Sequence, residues 1–300
     1  MRLGQVIRNF HLSRSLGFFL LGLLLIIISG LALSKGAVAL SIIAIFDGSA
    51  SSLEATVFNQ LRAPRVVLSA MVGASLAVSG AVLQGLFRNP LADPGLIGVS
   101  GGAALGAVAM IVFGSSLALP EVIAPYSMPM AAILGAMIVT LFLYSFSAYY
   151  GQFSVVTVLL AGIAINALST VGIGVFQYLS DDAQLRTLVF WMMGSFGRAN
   201  WITVLPSTFV MLIGVVILIL HSRQLDRLQL GEAEAFYLGV KVNRLKRVII
   251  LVSAVCVGAG VALSGIIGFV GLVVPHLVRL TLGVSHSVLL FGSALVGASL

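Results

Sequence analysis

Residues 247–285 read RVIILVSAVCVGAGVALSGIIGFVGLVVPHLVRLTLGVS, and this stretch contains neither an aspartate nor a glutamate. An α-helix needs about 20 predominantly apolar residues to cross roughly 30 Å of hydrocarbon. The stretch is long enough for two such helices, which we predict at 247–263 and 266–282. It therefore indicates an all-α, polytopic membrane protein.

The composition of the whole chain agrees with this prediction. Of the 300 residues, 60% are hydrophobic and only 8% are charged, and the mean hydropathy is +1.16. Soluble globular domains carry about a quarter charged residues, so the composition excludes that class. Apolar runs predict further spans at 16–34, 66–87, 95–113, 128–148, 155–176, 203–220 and from 288 onward. The last run is still apolar at Leu300, and we expect further sequence to follow it.

The first apolar run has two interpretations. Arg2, Arg8 and Arg14 precede it, and the small residues Ala32 and Ser34 stand near its end, as they would in a signal peptide. The run is longer than an ordinary signal-peptide core, so we predict a retained helix. If the N-terminus is cytoplasmic, most Lys and Arg residues fall on the cytoplasmic side, which is the usual positive-inside bias.

Nine of the charged residues lie between Arg223 and Arg247, in a segment that this topology places in the cytoplasm. We interpret residues 222–246 as a segment that contacts a soluble partner; the alternative is an ordinary amphipathic surface loop. The net charge of +7 follows from the positive-inside bias, and no basic stripe alternates with exposed aromatics, so nucleic acid is not an expected partner. Cys256 is the single cysteine and lies in an apolar span, so no cysteine metal site is predicted.

The nine acidic residues all map to loops or to the ends of predicted spans. Ion-coupled transporters usually place ionisable groups inside their spans, so this distribution argues against a proton relay within the chain. The polar groups within or at the ends of spans are neutral, chiefly Gln84, Asn89 and Asn166. An ion-coupled secondary transporter, and a receptor or scaffold that moves no cargo, remain as alternatives.

An internal repeat relates residues 62–100 to residues 247–285. The aligned identities include Arg62 with Arg247, Gly73-Ala74 with Gly258-Ala259, Ala77 with Ala262, Ser79-Gly80 with Ser264-Gly265, Pro90 with Pro275, and Gly98-Val99-Ser100 with Gly283-Val284-Ser285. The two copies begin an odd number of spans apart, which predicts opposite orientations in the membrane, as in transporters with inverted repeats. Because proline removes a backbone donor, we also predict that Pro90 and Pro275 lie at corresponding helix interruptions.

A set of motifs, in order along the chain, resembles one family of membrane proteins. The motifs are LRAPR (61–65), SGAVLQ (79–84), RNPLADPGLIGV (88–99), LAG (160–162), FWMMGS (190–195), LGE (230–232), LG (238–239) and GFVGLVVPH (268–276). From about residue 60 to its end, the chain resembles the permease subunits of ATP-driven importers for iron chelates, haem and cobalamin.

This resemblance implies a single transmembrane permease domain over residues 1–300, with the fold of type II ABC importers. That fold has ten transmembrane helices, nine of which begin in this sequence. The implied partners are a second copy of the chain, two cytoplasmic ATP-binding subunits, a periplasmic substrate-binding protein and the lipid of a bacterial inner membrane. The permease would have no catalytic residue, metal site or cofactor, because ATP and Mg²⁺ bind to the partner ATPase.

The resemblance also implies an ATPase-coupling role for part of the cytoplasmic segment. Two short coupling helices would cover residues 230–235 and 236–239, with Leu230, Gly231, Glu232, Ala235, Leu238 and Gly239 as the site residues. Gly231 and Gly239 would permit tight turns. Ala233, Ala235 and Leu238 would offer a compact apolar face, so local closure of the ATPase could be passed to the neighbouring spans as rigid-body motion.

Two further sites follow from the resemblance. Arg62 and Arg65 would contact acidic residues of the binding protein, an interaction suited to steering and register; the alternative is that both side chains snorkel at the interface. A cytoplasmic gate would include Ser154, Val155 and Val156, with helix packing as the alternative.

The translocation path itself is expected to include Gln84 and Asn166. Haem is the predicted cargo, because residues 178–191 look most like the haem branch of the family; cobalamin and ferric siderophores are the alternatives. We expect His276 to have a packing or helix-end role, the scattered Met128, Met130, Met192 and Met193 to fill the core, and Asp181-Asp182 to lie in a solvated outer loop.

Overall fold

The computed structural model describes residues 14–36, 38, 41, 44–45, 47–95, 98–149 and 155–300, and all regular structure in these ranges is helical. The helices are α1 (Arg14–Ser34), α2 (Ala63–Phe87), α3 (Val99–Phe113), α4 (Ala124–Tyr149), α5 (Val155–Leu179), α6 (Asp182–Met192), α7 (Trp201–Leu220), α8 (Ser222–Leu228), α9 (Glu232–Tyr237), α10 (Val242–Ser264), α11 (Val270–Thr281) and α12 (His286–Ser299). A short helix, Ser52–Thr56, and a π-helical segment, Val57–Arg62, lead directly into α2.

The structure confirms an all-α, polytopic architecture. Among the described residues, seven helices are long and apolar enough to cross a membrane: α1 to α5, α7 and α10. The span that ends in α2 is 36 residues long because it begins at Ser52. Each of these seven helices covers most of a run that the sequence predicted, so composition and run length were sufficient to find them.

The span predicted at 266–282 is shorter than expected, whereas the one predicted from 288 begins two residues earlier. Helix α11 has 12 residues and α12 has 14. The prediction of a helix from residue 266 was wrong, because the backbone leaves the helix at Gly265 (φ 72°) and returns to it only after Phe269 (φ 66°). Both residues adopt positive φ, a conformation that cannot continue a right-handed helix.

The helix interruption in the second copy of the repeat therefore differs from the prediction. Pro90 lies in the irregular turn after α2, but Pro275 is buried inside α11. The prediction of corresponding breaks at the two prolines was wrong; the break in the second copy comes earlier, at 265–269. Gly98 (φ 86°) and Gly283 (φ 120°) do correspond, because each has a left-handed backbone shortly before a helix.

Helix α6 was not predicted from the sequence. Asp181 caps its N-terminus by accepting a hydrogen bond of 2.8 Å from the Gln184 backbone N–H, and the Gln184 side chain accepts one of 3.2 Å from the Asp181 N–H. This reciprocal pair is a capping box. The expectation that Asp181-Asp182 forms only a solvated loop was wrong, since the two residues begin a helix whose Trp191 is buried.

Helix α2 lies at the centre of the packing and contacts α7, α10, α11 and α12. Glycine allows two of these contacts to bring backbones together. A Cβ atom on Gly80 would lie 2.0 Å from the Gly271 carbonyl oxygen of α11, and one on Gly73 would lie 1.9 Å from the Gly297 oxygen of α12. Close approach of small residues is a common basis of helix association in membranes.

Candidate functional site

The cytoplasmic segment predicted at 222–246 contains two short helices, α8 and α9, between the long spans α7 and α10. Their boundaries differ from those predicted. Leu230 and Gly231 form the turn between the helices, where the prediction placed the first helix. Gly231 has a φ of 137° and Gly239, after α9, has a φ of 82°, so both glycines occupy turns with positive φ. Residues with a Cβ atom rarely adopt such conformations.

The end of α9 is a Schellman motif. The Val240 N–H donates to the Ala235 carbonyl at 2.9 Å, and the Gly239 N–H donates to the Phe236 carbonyl at 2.9 Å. These are the two bonds that define the motif, and glycine is the usual residue at its left-handed position. Ala235 and Val240 are both buried, as the accompanying hydrophobic contact requires.

The exposed surface of this segment is more aromatic than the predicted apolar face. Phe236 is 70% exposed and Tyr237 is 87% exposed, and Leu230 and Leu238 are also exposed. Ala235 is fully buried, so the prediction that its side chain lies on the docking face was wrong. We use the name aromatic surface for Leu230, Phe236, Tyr237 and Leu238. Exposed apolar groups grouped in this way are typical of protein interaction sites.

Helix α8 is attached to the ends of α2 and α12. The Asp226 carboxylate accepts a hydrogen bond of 2.8 Å from the His286 backbone N–H, and its Oδ1 lies 2.7 Å from His286 Nδ1. Ser285 Oγ donates to Asp226 Oδ2 at 3.2 Å. Gln229, which follows α8, donates from Nε2 to the Gly85 carbonyl at 2.8 Å. Asp226 therefore satisfies a free N–H group at the start of α12, while Gln229 bonds a carbonyl in the last turn of α2.

Helix α9 is attached instead to α10. Both carboxylate oxygens of Glu232 accept from Lys246 Nζ, at 2.7 and 2.8 Å. Lys246 is only 4% exposed, whereas the Glu232 side chain is half exposed. A buried ammonium group requires such a partner, because an unpaired charge is strongly destabilising in a site shielded from water.

Gln84 joins two helices through its side-chain amide. Its Nε2 donates to the Gly271 carbonyl at 3.1 Å, and its Oε1 accepts from Arg279. Gly271 stands four residues before Pro275, so its carbonyl is the one that loses its helical donor to the proline. Gln84 supplies the missing donor and joins α2 to α11. Its role in the translocation path stays a prediction.

The other predicted path residue, Asn166, lines a cavity of about 270 Å³. Its Nδ2 donates to the Gly95 carbonyl at 2.7 Å, so it holds the turn between α2 and α3. Gln84 lines a different cavity, and the two amides do not share a site. Of the predicted gate, Ser154 lies outside the described residues, and Val155 and Val156 form the first two positions of α5.

The two arginines predicted to dock a binding protein have different environments. The Arg62 guanidinium donates to the Leu33, Ser34 and Val38 carbonyls, two of them at 2.8 and 2.9 Å, and Arg62 is 9% exposed. It therefore caps the C-terminus of α1, which favours a positive charge. This geometry argues against Arg62 as an exposed docking residue.

Arg65 remains available on the surface. Its Nη2 donates to the Gly197 carbonyl at 3.0 Å, and its side chain borders a cavity of about 460 Å³ beside Lys35 and Phe196.

His276, which we expected at a helix end or in packing, lies instead inside α11 with an exposed side chain. Among the described residues, His276 takes part in no ion pair.

Sequence reasoning missed the residues that attach α8 and α9 to the transmembrane helices, namely Asp226, Gln229, Lys246 and His286. Asp226 and Lys246 were counted only as members of a charged segment, and His286 was not considered. One signal could have indicated Lys246. It stands five residues into a span whose next 17 residues carry only one further charge, Arg247, and a lysine at such a place usually has a partner.

Comparison with known proteins identifies the family. The model of the FecCD transport family matches residues 23–300. The hemin transport system permease protein HmuU of Yersinia pestis is 46% identical over 284 residues, which are 94% of this chain and 84% of that protein. The vitamin B12 import system permease protein BtuC of Vibrio parahaemolyticus is 42% identical over 298 residues, or 99% of this chain and 86% of that protein.

A solved structure supports the same assignment. It is a metal-chelate type ABC transporter in an inward-facing conformation, with a TM-score of 0.83 and 37% sequence identity, and the match covers 94% of this chain and 86% of that one. The similarity extends over nearly the whole chain, in sequence and in fold. The chain therefore belongs to the FecCD transport family, as a multi-pass transport subunit.

Proposed function

We propose that this chain is the permease subunit of an ATP-driven importer, which moves haem or a related iron chelate from a periplasmic binding protein to the cytoplasm by alternating access. The single observation that carries the proposal is the aromatic surface. It lies on a short, tightly capped segment between two long spans, in a chain of a transporter family. A partner that covers this surface could push on both neighbouring spans.

The partner proposed for the aromatic surface is a separate ATPase subunit, two copies of which would bind ATP and Mg²⁺. The permease would contribute no catalytic group and no cofactor. Leu230, Leu238 and the turn glycines Gly231 and Gly239 would contact the ATPase, while Glu232 and Ala235 would position α9 from within. An aromatic and leucine patch suits a protein partner, because aromatic residues are common anchors of protein interfaces.

Haem is the proposed cargo because the hemin permease of Yersinia pestis is 46% identical to this chain. Cobalamin is the second candidate, since several vitamin B12 permeases are 41–44% identical. A ferric siderophore is a third. These cargoes are all large and amphipathic, and a wide, mostly neutral path would serve any of them.

The remaining partners are proposed from exposed surfaces. Helix α5 packs against α3 and α4, and its residues Leu160, Leu168 and Tyr178 are exposed. This open face would meet a second copy of the chain across the path, with Ser154, Val155 and Val156 near its cytoplasmic end. Arg65 would contact the binding protein on the opposite side. The N-terminus would be cytoplasmic and the membrane the bacterial inner membrane.

Reconstitution tests the proposal. The chain would be placed in liposomes with its candidate ATPase and binding protein, and uptake of haem, cobalamin and ferric siderophores would be measured side by side with and without ATP. We expect ATP-dependent uptake, strongest for haem, that is lost with a hydrolysis-deficient ATPase. Uptake that depends on a proton or sodium gradient and not on ATP would refute the assignment as an ATP-driven importer. Preferential uptake of cobalamin would refute only the haem assignment.

A further inference from the structure

The two cytoplasmic helices are attached to different parts of the transmembrane domain. Helix α8 bonds to the C-terminal turn of α2 and to the first turn of α12, through Gln229 and Asp226. Helix α9 bonds to α10 through Glu232 and Lys246. Between α8 and α9 stands Gly231, whose φ of 137° marks a turn that few other residues could form.

From this arrangement we infer that the coupling segment is a hinged pair, in which Asp226 and Glu232 are positioning residues that transmit motion to different helices of the transmembrane domain. Asp226 would carry α8 with α2 and α12, and Glu232 would carry α9 with α10. A change in the angle between α8 and α9 would then move α10 relative to α12. The inference rests on the proposed function, because an ATPase must supply the force.

The attachment of α8 is firm because it combines charge, hydrogen bonds and burial. Asp226 accepts two backbone or side-chain hydrogen bonds and lies within 2.7 Å of a ring nitrogen. A carboxylate at a helix N-terminus is favoured by the exposed N–H groups and the helix dipole. Leu225 and Leu228, on the same short helix, are fully buried. Helix α8 is thus a fixed extension of the α2 and α12 ends.

The attachment of α9 depends mainly on one ion pair. Lys246 is buried on α10, in the second turn of that helix, and it donates two bonds to Glu232 at the start of α9. Charge-assisted bonds of this kind are roughly twice as strong as neutral ones. Ala235 and Val240 add a small buried contact, but they do not fix the direction of α9.

One side-chain hydrogen bond links α8 to the residue that follows α9 and would change as the hinge moves. Arg227 Nη1 donates to the Leu238 carbonyl at 3.2 Å, and Arg227 is exposed. A single exposed bond to a neutral acceptor is much weaker than either attachment.

The test measures the number of cargo molecules moved for each ATP hydrolysed, in the full complex reconstituted with ATPase and binding protein. Glu232→Gln and Asp226→Asn each remove one attachment while keeping side-chain shape. Arg223→Gln is the control, because Arg223 is an exposed charged residue on α8 outside both attachments. We expect both attachment variants to copurify with the ATPase and to hydrolyse ATP, but to move cargo at a ratio reduced at least about fivefold, the lower end of typical coupling energies.

A second variant separates coupling from a merely structural defect. Glu232→Gln combined with Lys246→Met removes the buried charge together with its partner, which avoids an unpaired ammonium group. We expect this pair to recover the thermal stability lost in Glu232→Gln but not the coupling ratio. Recovery of both properties, or cargo movement and ATP hydrolysis that fall in equal proportion, would overturn the inference. Failure of the unmodified chain to show ATP-dependent uptake would instead overturn the proposed function.

Discussion

The close contact between α2 and α11 gives a quantitative prediction for Gly80→Ala. The added Cβ atom would lie 2.0 Å from the Gly271 oxygen, whereas ordinary contact begins at 3.4 Å, so the atoms would have to separate by about 1.4 Å. The obstacle is backbone, so no side chain can rotate away. Even a 0.5–1 Å gap forfeits about a quarter to a half of each dispersion contact along the interface.

We expect Gly80→Ala to lower the free energy of unfolding by about 1–3 kcal/mol, the usual cost of overpacking. Thermal unfolding in detergent would then occur several degrees lower, at about 2–4 °C for each kcal/mol. Gly174→Ala on α5 is the matched control, because nothing lies within 4 Å of its Cβ position. The control should be neutral or stabilised by up to about 1 kcal/mol, since alanine favours a helix over glycine. A Gly80→Ala protein as stable as the control would refute the assigned contact.

Three other predictions concern residues at helix ends. Arg65→Glu should weaken the affinity for the binding protein, most strongly at low salt. Arg62→Gln should chiefly lower thermal stability, because it removes bonds to the end of α1. Equal losses of affinity in the two variants would contradict this difference. Gly239→Val should cost about 1–2 kcal/mol through its positive φ and reduce ATPase binding in a pull-down assay, and full binding would count against the cap. Asp181→Ala should destabilise by about 1 kcal/mol in the same unfolding assay, and no change would mean that the α6 cap contributes nothing.

The membrane spans were predictable because every helix that crosses the hydrocarbon must be long enough and apolar enough to do so. Any chain of about 20 apolar residues meets that requirement, whatever its neighbours are. Helix α6 lacks such a run, since its first residues are Asp182, Ala183 and Gln184. Its start is nevertheless visible in the sequence as a capping box, Asp181 followed three residues later by Gln184, which a search for apolar runs does not detect.

The candidate site was only partly predictable, for a different reason. Turn glycines such as Gly231 and Gly239 carry a local signal, because few residues tolerate positive φ. Whether Ala235 faces the solvent or the interior depends on contacts with distant residues, and a small apolar side chain fits either place. Lys246 and Glu232 are 14 residues apart, and their pairing depends on how α9 folds back onto α10. The sequence around each residue does not show that the two side chains are close in space.

The bond from Gln84 to the Gly271 carbonyl has a consequence for how the sequence can change over time. The carbonyl needs an outside donor only because Pro275 has no N–H group to offer it. Loss of Gln84 alone would leave a buried acceptor without a partner, whereas loss of Pro275 would let the helix satisfy that acceptor itself. The order of substitution therefore matters: Gln84 becomes replaceable by an apolar residue only after Pro275 has been replaced by a residue with an N–H group.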